Sequence, residues 1–210
     1  MSDLRANGFE MCADVFGVAP ESHRAGRWAL DRRYAELLID FGYRVDCSVT
    51  PGVSWKKKGK APAGREGTDY RGFPNQAYWM DPSDPSKEGR STLLEVPMTI
   101  LPGVDWSWMR PQVLRSAANR IWPEFMWIRP SGRNLRHMLR IVNMVLAERR
   151  TYAEFMLHSS ELMPGGSFLF PTEERIEKLY SDLRCLFSAV AANFTGATLK
   201  EYFEWYRRPV

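Results

Sequence analysis

Apolar and polar positions along the chain switch repeatedly between a helical and a strand period. From Leu30 to Phe41, the residues Leu30, Tyr34, Leu37, Leu38 and Phe41 fall on one helical face, and Gly42 supplies the stop. Tyr43 to Val49 then alternates as a strand does and ends at Thr50-Pro51-Gly52. Helix, glycine, strand and turn in that order make half of a βαβ unit. A looser helical spacing over 4–16 ends at Gly17, and a polar strand or loop over 21–27 follows it. Thr92 to Leu101 is strand-like, with Pro97 demoting it to a strand end or an edge. A short helix from Pro111 to Arg120 leads into a strand over Phe125 to Ile128. The clearest helix runs from Asn134 to Arg149, with Leu135, Met138, Leu139, Val142, Val145 and Leu146 on one face and His137 off it. The run Phe155 to Leu157 reads as a short buried strand that stops at His158, before Pro164-Gly165-Gly166 turns the chain. Thr172 caps a helix reaching Asn193, and a last short helix carries Phe203 and Trp205.

Strands alternating with helices predict an α/β fold with a largely parallel sheet, in a single domain over 1–210. Only residues 54–90 resist this reading. They carry many Pro and Gly and scattered aromatics at Tyr70, Phe73, Tyr78 and Trp79, as a long loop insertion would. Such a segment, when ordered, tends to be functional; its aromatics either stack on sugar rings or pin the loop to the surface.

Composition changes this picture little. The formal charge of +4 over 210 residues is mild, and the one dense basic run, Lys56 to Lys60, lacks an interleaved aromatic platform, so no nucleic acid partner is expected. No apolar run is long enough for a membrane span, and no signal pattern opens the chain, so the expectation is a cytoplasmic protein with no membrane partner. Cys12, Cys47 and Cys185 are far apart, without metal-type spacing or a disulfide framework.

Three polar clusters fall at or just after predicted strands: His23-Arg24 with Arg27, Asp46 with Ser48 and Thr50, and His158 with Ser159 and Glu161. The carboxyl ends of parallel strands are where ligands bind, because the loops there vary while the strands hold their base. An Asp, an Arg and a His sharing that rim would form an acid–base set; Asp46 and Arg24 would equally form a structural ion pair beneath the loops.

The stretches Ser22-His-Arg-Ala-Gly-Arg-Trp28, Gly42-Tyr-Arg-Val-Asp-Cys-Ser-Val-Thr-Pro51, Leu94-Glu-Val-Pro97 and Leu157-His-Ser-Ser-Glu-Leu-Met-Pro-Gly-Gly166 resemble the later motifs of the polysaccharide deacetylase, or NodB-homology, family, in its divergent WalW-like branch. The resemblance implies a partial, deformed (β/α) barrel lacking its first strands, and a hydrolase that removes acetyl groups from N- or O-acetylated sugars. It implies that Arg24 orients a catalytic carboxylate, that Asp46 tunes a histidine, and that His158 is the general acid for the departing amine or alkoxide. Arg27, Ser159, Glu161, Tyr78 and Trp79 are the expected substrate-binding residues. The family's Asp-Asp pair and its two metal-binding histidines have no counterpart among this chain's three His residues. The chain is therefore expected to hold no cofactor by itself, a divalent metal, zinc, entering only with the absent motifs. Truncation of a complete enzyme is the expected cause, and an exposed barrel edge would drive association into a homo-oligomer. The alternative is a non-catalytic carbohydrate-binding or interaction protein.

Overall fold

The computed structural model describes residues 14–15, 17–56, 67–105, 108–109, 111–121 and 123–207. In chain order its elements are β1 (Ser22–His23), α1 (Arg32–Asp40), β2 (Val45–Asp46), β3 (Tyr78–Asp81), β4 (Asp84–Glu88), β5 (Leu94–Glu95), β6 (Ile100–Pro102), α2 (Gln112–Ile121), β7 (Phe125–Trp127), α3 (Leu135–Ala147), α4 (Glu173–Ala191) and α5 (Leu199–Tyr206). Most of the helix expected over 4–16, and Lys57, Lys58 and Lys60 of the basic run, lie outside the described residues. The described residues form two compact units, one up to Pro97 together with those from Gly196 onward, the other Met98–Thr195. No helix among the described residues is long and apolar enough to cross a membrane.

The first unit is built on a five-stranded sheet ordered β1-β2-β5-β3-β4. β1, β2 and β5 run parallel, whereas β3 is antiparallel to both β5 and β4. The sheet is mixed rather than largely parallel. It is also open, with β1 and β4 at its edges, and does not close into a barrel. α1 forms where the 3.6-residue period predicts it. Asp31 accepts the Tyr34 N–H at 2.8 Å at its start, and Gly42, at φ 75°, lets Tyr43 N–H reach the Leu38 carbonyl at 2.9 Å at its end. Its register is set by packing rather than by the cap. Burying a side chain such as Leu38 contributes about 1.5–3 kcal/mol, against about 1 kcal/mol for an N-cap. Ala35 and Leu38 are buried with Tyr43, Val49, Tyr70, Tyr78, Met80 and Leu93 in the unit's core.

The segment 54–90 is not the structureless insertion that its Pro and Gly content predicts. It contains the β3–β4 hairpin. The repeated Asp-Pro-Ser at 81–86 builds the turn: Asp81 Oδ1 accepts the Ser83 N–H and hydroxyl at 2.8 and 2.7 Å, and Asp84 Oδ1 accepts those of Ser86 at 3.2 and 2.6 Å. Pro85 is tolerated because β4 is an edge strand, and its carbonyl accepts the buried Tyr78 hydroxyl at 2.6 Å. Lys87, 2.8 Å away, and the Ser86 hydroxyl hold the Asp84 carboxyl down at about 2, from an ordinary 3.8. The folded value is the lower one, so this contribution to the hairpin is complete above the ordinary value and disappears as pH falls through about 2. NMR titration of the Ser86 amide should show a midpoint near 2, which Asp84→Asn removes; a midpoint near 4 would mean the turn is not held this way.

In the second unit, β6 and β7 form a separate antiparallel pair, Leu101 opposite Met126. The expected strand over 92–101 is thus two strands in two sheets, divided around Pro97. α3 buries Met138, Ile141, Val142 and Val145, spaced three and four apart, while Leu146 is exposed. Its buried face meets Leu101, Met126, Ile128 and, from α4, Leu186. The rest of the α4 stripe, Ile176, Leu179 and Leu183, packs on Phe170. Phe155 to Leu157 forms no strand: the Met156 N–H donates to the Ile128 carbonyl at 3.1 Å, just beyond β7.

Candidate functional site

β1, β2 and β5 are parallel, and their last residues are His23, Asp46 and Glu95. The register pairs His23 with Asp46 and Asp46 with Glu95, so the three side chains stand in one row at the carboxyl ends of adjacent strands. Asp46 and Glu95 have no exposed surface, and the His23 side chain is 12 % exposed. Asp46 Oδ1 accepts from His23 Nδ1 at 2.7 Å and from the Ser48 hydroxyl at 2.8 Å, while Oδ2 accepts the Ser48 N–H at 3.1 Å. An aspartate carboxylate only accepts, which places a proton on Nδ1 and fixes the imidazole's orientation. The other ring nitrogen, Nε2, lies 3.0 Å from the Tyr34 hydroxyl. The ring itself sits between Tyr34 and Tyr43, with centroids at 5.1 and 5.7 Å. Glu95 Oε1 accepts the Val49 N–H at 2.9 Å.

The loop after β1 is tied down over this row. The Ala25 N–H donates to Ser48 Oγ at 2.8 Å, and the Tyr70 hydroxyl donates to the Trp28 carbonyl at 2.7 Å and accepts the Leu30 N–H at 3.2 Å. Burial pushes the Tyr70 hydroxyl well above the usual phenol range, with Glu95 and Asp46 adding to it, so it stays a donor. These bonds hold Arg27 and Trp28 in the left-handed region, at φ 57° and 56°, a conformation costing about 1–3 kcal/mol per non-glycine residue.

Arg24, expected to orient the carboxylate, is exposed, with its guanidinium 5.6 Å from the centre of the Trp28 ring. Side chains alternate along the extended chain, so His23 and Arg24 do not share a face; the inward one is His23. Arg27 is exposed as well. Tyr78 is buried and bonded to Pro85, which removes it as a sugar platform, while Trp79 is half-buried against Phe203.

His158 belongs to the second unit, exposed at the head of the 3-10 turn Ser159–Leu162. Its N–H donates to Glu161 Oε2 at 3.0 Å, and Glu161 Oε1 accepts from the Arg129 guanidinium at 3.0 Å. Glu161 is 2 % exposed, so it braces the turn instead of lining an open site, while Ser159 remains exposed. The structure therefore brings Asp46 onto His23, with Arg24 facing outward beside them, and sets His158 on a turn braced by Glu161.

Among the described residues no three His, Cys, Asp or Glu side chains are placed to hold a metal ion. The described residues do not fit the divalent metal that the resemblance implies. His23 stands in a polar cluster legible in the sequence, although the roles there fall to Arg24 and Asp46, and Glu95 is the member of the row that the sequence reading did not single out. Glu95 had a legible signal, a single acid within the apolar run Leu93 to Val96. Compared with known proteins, the chain matches no family model, no curated protein and no solved structure.

Proposed function

We propose that this chain is a polysaccharide deacetylase-like protein that binds acetylated saccharides, a carbohydrate hydrolase by resemblance. The observation that carries the reading is the buried Asp46 carboxylate, holding an imidazole at the carboxyl end of a strand flanked by two parallel neighbours. Removal of an acetyl group passes through an oxyanion, and the sugar nitrogen or oxygen leaves only with a proton. His158 is the residue suited to deliver it: its ring is exposed and its backbone is fixed by Glu161. His23 is less suited, because both ring nitrogens are engaged, by Asp46 and Tyr34. Asp46 and His23, within the first unit, hold the strained turn and its loop.

Binding is tested by NMR on the intact chain with chito-oligosaccharides and acetylated xylo-oligosaccharides. The expected result is a preference for the acetylated forms over their deacetylated counterparts, with shifts at residues 23–31 and 46–53. Acetate release by the intact chain, lost in His158→Gln, would establish turnover; binding without release would favour the non-catalytic sugar binder. Indifference to acetylation would overturn the assignment.

A further inference from the structure

A groove of about 390 Å³ opens on the first unit, lined by Trp79, Arg90, Ser91, Thr92, Phe203 and Arg207. It lies on the sheet face opposite the His23–Asp46–Glu95 row. Tyr78 pairs with Glu95 in the register, so its neighbour Trp79 points the other way, toward α5. There the Trp79 ring meets Phe203 and Tyr206 at centroid distances of 5.6 and 5.9 Å, and the Tyr206 hydroxyl pins the helix by donating to the Ala77 carbonyl at 2.9 Å.

The opposite wall is equally fixed. Gly89 donates its N–H to the Trp79 carbonyl at 2.7 Å, and a Cβ there would lie 2.6 Å from Asp81 Cα, so only glycine lets the chain turn and project Arg90. The Ser91 hydroxyl donates to the Met80 carbonyl at 2.6 Å. Across the groove, the Arg207 guanidinium lies 5.9 Å from the Phe203 ring centre and pairs with Glu204, which Arg44 shares at 3.3 Å. Glu21 pairs with Arg44 and Lys200, and Glu88 lies close enough to push up the Tyr206 hydroxyl after burial has done so. Two cations, Arg90 and Arg207, line the groove, and Arg207 is already paired with Glu204. Arg90 is exposed and makes no hydrogen bond or ion pair among the described residues.

We propose that this groove is a second saccharide subsite that takes an acidic sugar, a pyranose bearing a carboxylate. Arg90 receives the carboxylate, and the apolar face of the ring lies against Trp79. Groove size, an aromatic floor and one unspent guanidinium are what such a ligand requires: a fixed apolar surface for orientation, and a planar fork that matches a carboxylate. That the ligand is a saccharide rests on the reading given under Proposed function; the groove's demand for an anion does not.

The test is titration calorimetry of the intact chain with a short oligogalacturonate, a neutral chito-oligosaccharide of the same length, and polyglutamate as a polyanion without sugar. Arg90→Gln changes an exposed side chain, so the fold should survive. It is expected to weaken oligogalacturonate binding about tenfold, the loss of one charge-assisted contact. Arg90→Lys should restore part of that loss, and the chito-oligosaccharide should be unaffected by either variant. Arg90-dependent oligogalacturonate binding with no response to acetylated sugars would uphold the subsite and sink the deacetylase-like reading. Oligogalacturonate binding that is absent, or indifferent to Arg90→Gln, would overturn the subsite and leave that reading standing. Equal, Arg90-dependent binding of polyglutamate would also overturn it, as a charge patch only.

Discussion

Asp46→Ala should destabilise the protein by about 3–5 kcal/mol, the usual cost of removing one partner from a buried pair. The carboxylate has no exposed surface, and three donors converge on it: His23 Nδ1, the Ser48 hydroxyl and the Ser48 N–H. Alanine would strand all three where water scarcely reaches, and the loop carrying the left-handed Arg27 and Trp28 would lose its tie through Ser48 to Ala25. Asp46→Asn should cost less, about 1–3 kcal/mol, since the amide keeps one acceptor but sets its NH2 against a donor. Urea denaturation followed by tryptophan fluorescence measures both. A loss below about 1 kcal/mol for the alanine variant would mean that the pair is solvated and the site mobile.

Glu161→Ala should cost about 3 kcal/mol, the lower end of the same range, because Arg129 retains a route to water. The Arg129 side chain is 32 % exposed and Glu161 only 3 %, so the arginine can turn outward when its partner is removed. The His158 N–H cannot: it belongs to the backbone of a 3-10 turn that Glu161 Oε2 closes. Amide exchange at His158 should therefore accelerate sharply in Glu161→Ala and stay near its original rate in Glu161→Gln, whose carbonyl can still accept. Unchanged exchange in the alanine variant would show that the turn stands without the carboxylate. Acetate release, where the hydrolase reading holds, should fall in step with His158 protection.

The long helices were legible because their signal is local. α1 and α3 each repeat apolar residues three and four apart, and each buries that face, whereas α4 was marked by Thr172 and the acids that follow it. The hairpin at 78–88 was not, because Asp-Pro-Ser twice over reads as a run of breakers. Only its place at the sheet edge makes Pro85 compatible with a strand. Phe155 to Leu157 misled in the opposite sense. An apolar run is needed for a buried strand, but so is a neighbour with free backbone groups, and beyond β7 the run is tied through the Met156 N–H to Ile128 without a ladder.

The sequence by itself determined where the long helices form and that the chain buries an ordinary apolar core. These follow from backbone periods and turn chemistry, which act over a few residues. Tertiary structure alone decided that Asp46 meets His23, twenty-three residues away, and that Arg24 faces solvent. It also placed β5 between β2 and β3, which sets Glu95 beside Asp46 and leaves Trp79 on the far face. A strand presents its side chains with a period of two, so a one-residue change of register would exchange His23 for Arg24 and reverse the chemistry of the row. That register is set by packing between segments distant in the chain, which no local pattern encodes.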